Sequence, residues 1–85
     1  MRHWHIDILD SRMVPLWSSG RIYSKGAARR EFSRIVEELG RQVGKFVVRR
    51  PSEEERATAL PGAVRIAKNH RLVVVLSGCD CDGGE

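Results

Sequence analysis

From His3 to Leu9 the chain alternates with period two. Trp4, Ile6 and Ile8 fall on one side, and His3, His5 and Asp7 on the other. Successive side chains of a strand point to opposite faces, so this predicts a strand with an aliphatic face toward a core. Asp10-Ser11-Arg12 supplies turn chemistry, and Met13–Trp17 is expected to return antiparallel. Pro15 has no N–H to give a ladder, which places that second strand at a sheet edge.

The period changes after Ser24. Ala28, Phe32, Ile35, Val36, Leu39 and Val43 gather within about 100° of arc at helical spacing. This predicts the main helix, with Ser24 as N-cap, Gly40 as its αL cap and Val43 past its end. Phe46–Arg50 has the β-propensity of a strand, stopped by Pro51. Ser52 and Glu55 have capping-box spacing, so residues 52–60 form either a short helix or an acidic loop. Ala63–Lys68 and Leu72–Leu76 flank Asn69-His70-Arg71, where Asn69 tolerates positive φ, and a tight hairpin is expected. Leu72-Val73-Val74-Val75-Leu76 is apolar on both faces, as a central strand would be.

The order β-β-α-β-(α)-β-β predicts a single small α+β domain over residues 1–78. It would be a four- to five-stranded, mostly antiparallel sheet with one main amphipathic helix on one face. Residues 79–85 are small and polar and are expected to form a disordered tail. No apolar run approaches the roughly 20 residues of a membrane span, and the first residues lack a secretory apolar region. A cytoplasmic protein without a membrane partner is the expectation. Two cysteines, Cys79 and Cys81, fit a reducing compartment as thiols, because a disulfide across one intervening residue is strained.

Charge adds a direction. Fifteen Lys and Arg stand against eleven Asp and Glu in 85 residues, a net charge of +4. Residues 1–50 carry +6 and residues 51–85 carry −2. Twelve of the fifteen cations are Arg, whose planar fork suits phosphate and carboxylate. Arg30, Arg34 and Arg41 share the outer side of the main helix, with Arg49 and Arg50 at the neighbouring strand end. Glu37 and Glu38 interrupt this stripe, with Glu37–Arg41 and Arg34–Glu38 expected as i,i+4 pairs. Arg21, Ser24 and Lys25 lie at the start of the helix, where unpaired N–H groups and the dipole favour anions.

Other chemistry is thinner. His3, His5 and Asp7 are weak metal candidates, with Cys79 and Cys81 to complete a set. Asp7 is expected to orient His5 only if the strand departs from regular geometry. No P-loop, nucleophile elbow, H-E-x-x-H or G-x-G-x-x-G is present, and no cofactor is expected. Trp17 on the edge strand is either a core lid or an interface anchor. Three readings follow. The first is a non-enzymatic protein, such as an inhibitor or accessory factor, that engages nucleic acid or an acidic protein or nucleoprotein surface through its arginines. The second is a metal-binding protein or small metal-dependent hydrolase built on His3, His5 and Asp7. The third is a structural homo-oligomer, a dimer for example, joined through an edge strand.

Overall fold

A computed structural model describes residues 2–79. Its elements are β1 (His3–Asp10), β2 (Pro15–Ser18), α1 (Lys25–Val43), β3 (Val47–Arg49), α2 (Glu53–Thr58), β4 (Ala63–Lys68) and β5 (Leu72–Cys79). The five strands form one sheet in the order β2-β1-β5-β4-β3, and every neighbouring pair is antiparallel. This is the expected α+β arrangement, with the doubly apolar β5 at its centre.

Alternation along the strands builds a core on each face. Trp4, Ile6, Ala67, Val74 and Leu76 meet Ala28, Phe32 and Ile35 of α1. Leu9, Ala63, Ile66, Val73 and Val75 form a smaller cluster on the opposite face, with Leu60 packed against it. Each fully buried aliphatic side chain contributes about 1.5–3 kcal/mol, so the residue run 72–76 holds both layers to one strand. His3 lies on the second face and is buried at 6% exposure. That face is therefore more covered than a solvated strand face would be.

β1 extends its pairing past β2. Trp4 and Ile22 exchange two backbone hydrogen bonds of 2.7 Å, tying the extended piece before α1 to the sheet. At the β1–β2 turn the Asp10 carboxylate accepts from the N–H groups of Arg12 (2.8 Å) and Val14 (2.9 Å). The register shifts where Leu9 meets Pro15, which lets β2 carry a proline at the sheet edge.

Three local expectations are corrected. The helix runs through Gly40 and ends at Val43, where Gly44 at φ 128° caps it and its N–H donates to the Gly40 carbonyl at 3.2 Å. An interior glycine costs about 1 kcal/mol relative to alanine, and packing of Leu39 against the core carries the helix past it. The hairpin does not use positive φ at Asn69. Instead its Oδ1 accepts from the N–H groups of Arg71 and Leu72, both at 2.8 Å, and its Nδ2 donates to Gly44 O at 2.8 Å. β5 runs on to Cys79, beyond the predicted Leu76, because it pairs with β1 as far as His3. The rest of the expected tail lies outside the described residues.

Residues 52–60 resolve in favour of the helix. The Ser52 side chain accepts from Glu55 N–H at 3.1 Å, and the Glu55 carboxylate accepts from Ser52 N–H at 2.9 Å. No residue of α2 is buried, so this turn is held by its cap and by acids at its N-terminus rather than by packing. Among the described residues no helix is long and apolar enough to cross a membrane.

Candidate functional site

The arginines divide by whether an acid holds them. Arg34 donates to Glu31 through Nε (3.1 Å) and Nη2 (2.5 Å). These bonds draw the Glu31 carboxyl below its ordinary range and raise Arg34. Arg41 meets Glu38 at 3.3 Å. Both pairs are at i,i+3, so the expected Glu37–Arg41 and Arg34–Glu38 pairs are not the ones formed. Arg49 grips Glu55 as a two-bond fork at 2.8 and 2.7 Å. The fork, aided by the Ser52 N–H, pulls the Glu55 carboxyl down to about 2.

The remaining expected anion-binding residues are placed as follows. Arg30 stays exposed on α1 and shares a shallow groove with Arg29, Ser33, Arg34 and Glu37. Arg21 and Lys25 are exposed and do not line the cleft described next. The Ser24 hydroxyl caps α1 by accepting from Ala27 N–H at 3.2 Å.

Arg50 has a different setting. It lines a cleft of about 280 Å³ together with Arg29, Arg56 and Arg65, closed by Pro51, Ala63 and Val64. Four separate parts of the chain supply these guanidinium groups: α1, the turn after β3, α2 and β4. The sheet explains half of this convergence. Arg49 pairs with Ile66, so one antiparallel step further carries Arg50 alongside Arg65. A register irregularity between Ala63 and Arg65 sets the facing of that end of β4. Gly62, at φ 80°, turns the chain from α2 into β4, and its carbonyl accepts from Gly78 N–H at 2.9 Å. A Cβ at Gly62 would come within 2.6 Å of the Gly78 carbonyl oxygen, so the turn that brings Arg56 near Arg65 requires glycine.

Among the described residues no acid lines this cleft. Among the described residues none of its four arginines forms an ion pair. Glu53 shares an adjoining groove with Arg56 and Arg2, and Glu37 shares another with Arg29. Arg65 is half-buried, and its Nε is buried without a hydrogen-bond partner among the described residues. Buried donors are normally satisfied, and those that are not call for a physical reason.

No family model, curated protein or solved structure matches this chain.

The histidine face assembles differently from expectation. His5 Nδ1 and Asp7 Oδ2 are 3.0 Å apart within an unbroken strand, so no departure from strand geometry is needed. Two side chains at i,i+2 share a face, and the imidazole is long enough to close the gap to its neighbour. The His3 ring lies 6.3 Å from that of His5 and 6.1 Å from that of Tyr23, centroid to centroid. Cys79 sits opposite His3 in the register. Cys81 lies outside the described residues. Among the described residues no three His, Cys, Asp or Glu side chains come together as a metal-holding group. His5, Asp7 and Ser77 instead line a second pocket of about 280 Å³, roofed by Ala59, Leu60 and Pro61.

Trp17 is not a core lid. It is 46% exposed and, with Ile8, Leu16, Ile35, Leu39 and Leu72, lines an apolar groove of about 440 Å³ between β2 and α1.

Arg29, Arg56 and Arg65 escaped the sequence reading. Arg29 is adjacent to Arg30 but turns about 100° away from it. Arg56 lies in a segment whose helix depends on a cap. Arg65 becomes visible only once the β3–β4 register is known. The one signal present in the sequence was the two adjacent arginines at a strand end, Arg49 and Arg50, only one of which has a glutamate partner.

Proposed function

We propose that this chain is a non-enzymatic binding module for an anionic partner, nucleic acid or an acidic protein surface, and that Arg29, Arg50, Arg56 and Arg65 form its contact. One observation carries the reading: four arginines from four separate parts of the chain line one cleft that no acid lines among the described residues. Intramolecular ion pairs engage Arg34, Arg41 and Arg49, so the contact sits beside the predicted stripe rather than along it. Arg30 and Arg29 continue it onto the start of α1.

Titration of a fluorescent oligonucleotide and of polyglutamate across a salt series tests the reading. Affinity should fall log-linearly with salt, with a slope set by the number of phosphates neutralised. The pair Arg29→Glu and Arg50→Glu should remove binding while Trp17→Ala leaves it intact. Binding of neither polymer at low salt, or the reverse order of variants, defeats it. A second reading has its own observation, since β2 is exposed along its whole length and presents Leu16 and Trp17. Such an edge can pair with a second copy, and light scattering that reports a monomer across a dilution series excludes that.

A further inference from the structure

The floor of the arginine cleft narrows the chemistry of the ligand, an inference that rests on the anionic-partner reading above. Arg65 reaches the cleft from β4, between Val64, which packs against the main core, and the buried Ile66. Its Nε is buried without a partner among the described residues. A residue kept for stability alone would be apolar there, because a buried donor left unmade is costly and a shape-matched apolar pair is not. Water reaches that nitrogen poorly, so a donor in that place has most to gain from a ligand oxygen.

The number of forks decides which oxygen. A carboxylate brings one negative charge and two oxygens, which a single guanidinium can satisfy in a two-bond fork. Arg49 and Glu55 do this a few residues away. Around one carboxylate, Arg29, Arg50, Arg56 and Arg65 would leave most of their charge and donors unmatched. A diester phosphate within a polynucleotide also brings one charge. A phosphate monoester brings about −1.5 to −2 at neutral pH and three terminal oxygens. It alone of the three accepts several forks at once and offsets more than one cation. The arginines around the cleft come from three elements and a turn, a geometry suited to a group entering end-on.

We propose that the cleft is a phosphate-monoester site, with Arg65 Nε donating to one terminal oxygen and Arg29, Arg50 and Arg56 closing on the others. The monoester can belong to a small metabolite or to the end of a polynucleotide, and the test separates these sources. Calorimetric titrations of the full chain would use inorganic phosphate, a 5′-mononucleotide, and one oligonucleotide with either a 5′-phosphate or a 5′-hydroxyl. A glutamate-rich peptide is the control. The 5′-phosphate should tighten oligonucleotide binding about tenfold if the source is a polynucleotide end. If the source is a small metabolite, the mononucleotide binds and the 5′-phosphate adds nothing. In either case inorganic phosphate competes. Arg65→Met should abolish phosphate binding while holding or raising the melting temperature. Arg65→Lys keeps the charge without the fork and should weaken binding at least fivefold, which covers the case that the methionine variant misfolds. Equal binding of both oligonucleotides without phosphate competition, unchanged by Arg65→Lys, overturns the monoester site but leaves the anionic-partner reading standing. Tighter binding of the glutamate peptide than of any phosphate does the same. Binding of no anion at all removes both.

Discussion

The same residue type plays opposite parts in two places a few residues apart. Arg34, Arg41 and Arg49 each have a glutamate within ion-pair distance, and their charge is spent inside the molecule. Arg29, Arg50, Arg56 and Arg65 have none among the described residues, and they converge. Local sequence makes the first group: a glutamate three positions earlier on α1, or a capping glutamate opposite a strand end. Tertiary structure makes the second, since four segments must fold before those side chains meet. A basic composition is therefore a poor guide to a basic site. What counts is which cations the fold leaves uncompensated.

The contrast can be broken most severely at the sheet. Arg50→Glu with Arg65→Glu should weaken polyanion binding at low salt by on the order of a hundredfold. It should also lower the log–log salt slope by about two, as read by fluorescence anisotropy. A retained slope would mean the phosphates lie elsewhere. The contrast can also be blurred by giving the second group what the first already has. Ser33→Glu puts an acid four residues after Arg29 on exposed α1 and should weaken binding by about threefold without altering the melting temperature. Unchanged affinity would show that Arg29 is not part of the contact.

Glu55 tests the paired group through pH. Its carboxyl titrates at about 2 in the folded chain against an ordinary 4.5. A depressed carboxyl stabilises the fold fully above the ordinary value, and this is lost as pH falls through the folded one. Melting curves of the wild type and Glu55→Gln should therefore differ by a few degrees at neutral pH and converge between pH 4.5 and about 2. A constant gap would assign the effect to the cap alone. Release of Arg49 should slightly strengthen polyanion binding in the same variant. The smallest effect belongs to Arg34→Ala and Arg41→Ala, whose exposed pairs should change melting by no more than about a degree and binding by less than about twofold. A tenfold loss at either would show that these arginines leave their glutamates for the ligand.

Most of the fold was legible because three segments carry their periodicity openly. Trp4-x-Ile6-x-Ile8 reads as a strand, the stripe from Ala28 to Leu39 as a helix face, and the five apolar residues from Leu72 as a central strand. Each of these signals is local. Gly40 misled because its local preference is to end a helix, and the packing of Leu39 outweighs it. Asn69 marks the turn in the sequence, but its side chain rather than a positive backbone φ closes the hairpin. Of the cleft, only Arg50 was legible. Its partner Arg65 depends on a register and an irregularity in β4 that no short window of sequence encodes. His5 and Asp7 show the opposite case, where a contact expected only from an irregular strand forms at 3.0 Å within a regular one.

The position of β5 has a further consequence, for how the chain comes to be folded. β5 lies between β1 and β4, and it pairs residue 79 with residue 3. Before residues 72–79 are made, β1–β2 and β3–β4 are two separate antiparallel pairs without the strand that hydrogen-bonds to both. Two-stranded pairs are marginal on their own in water, and closing a loop of this span is the slow step for long-range strand pairing. On the ribosome the sheet thus waits for its last strand. The arginine cleft waits with it, since the Gly62 turn that aims Arg56 and Arg65 is fastened to Gly78 of that strand.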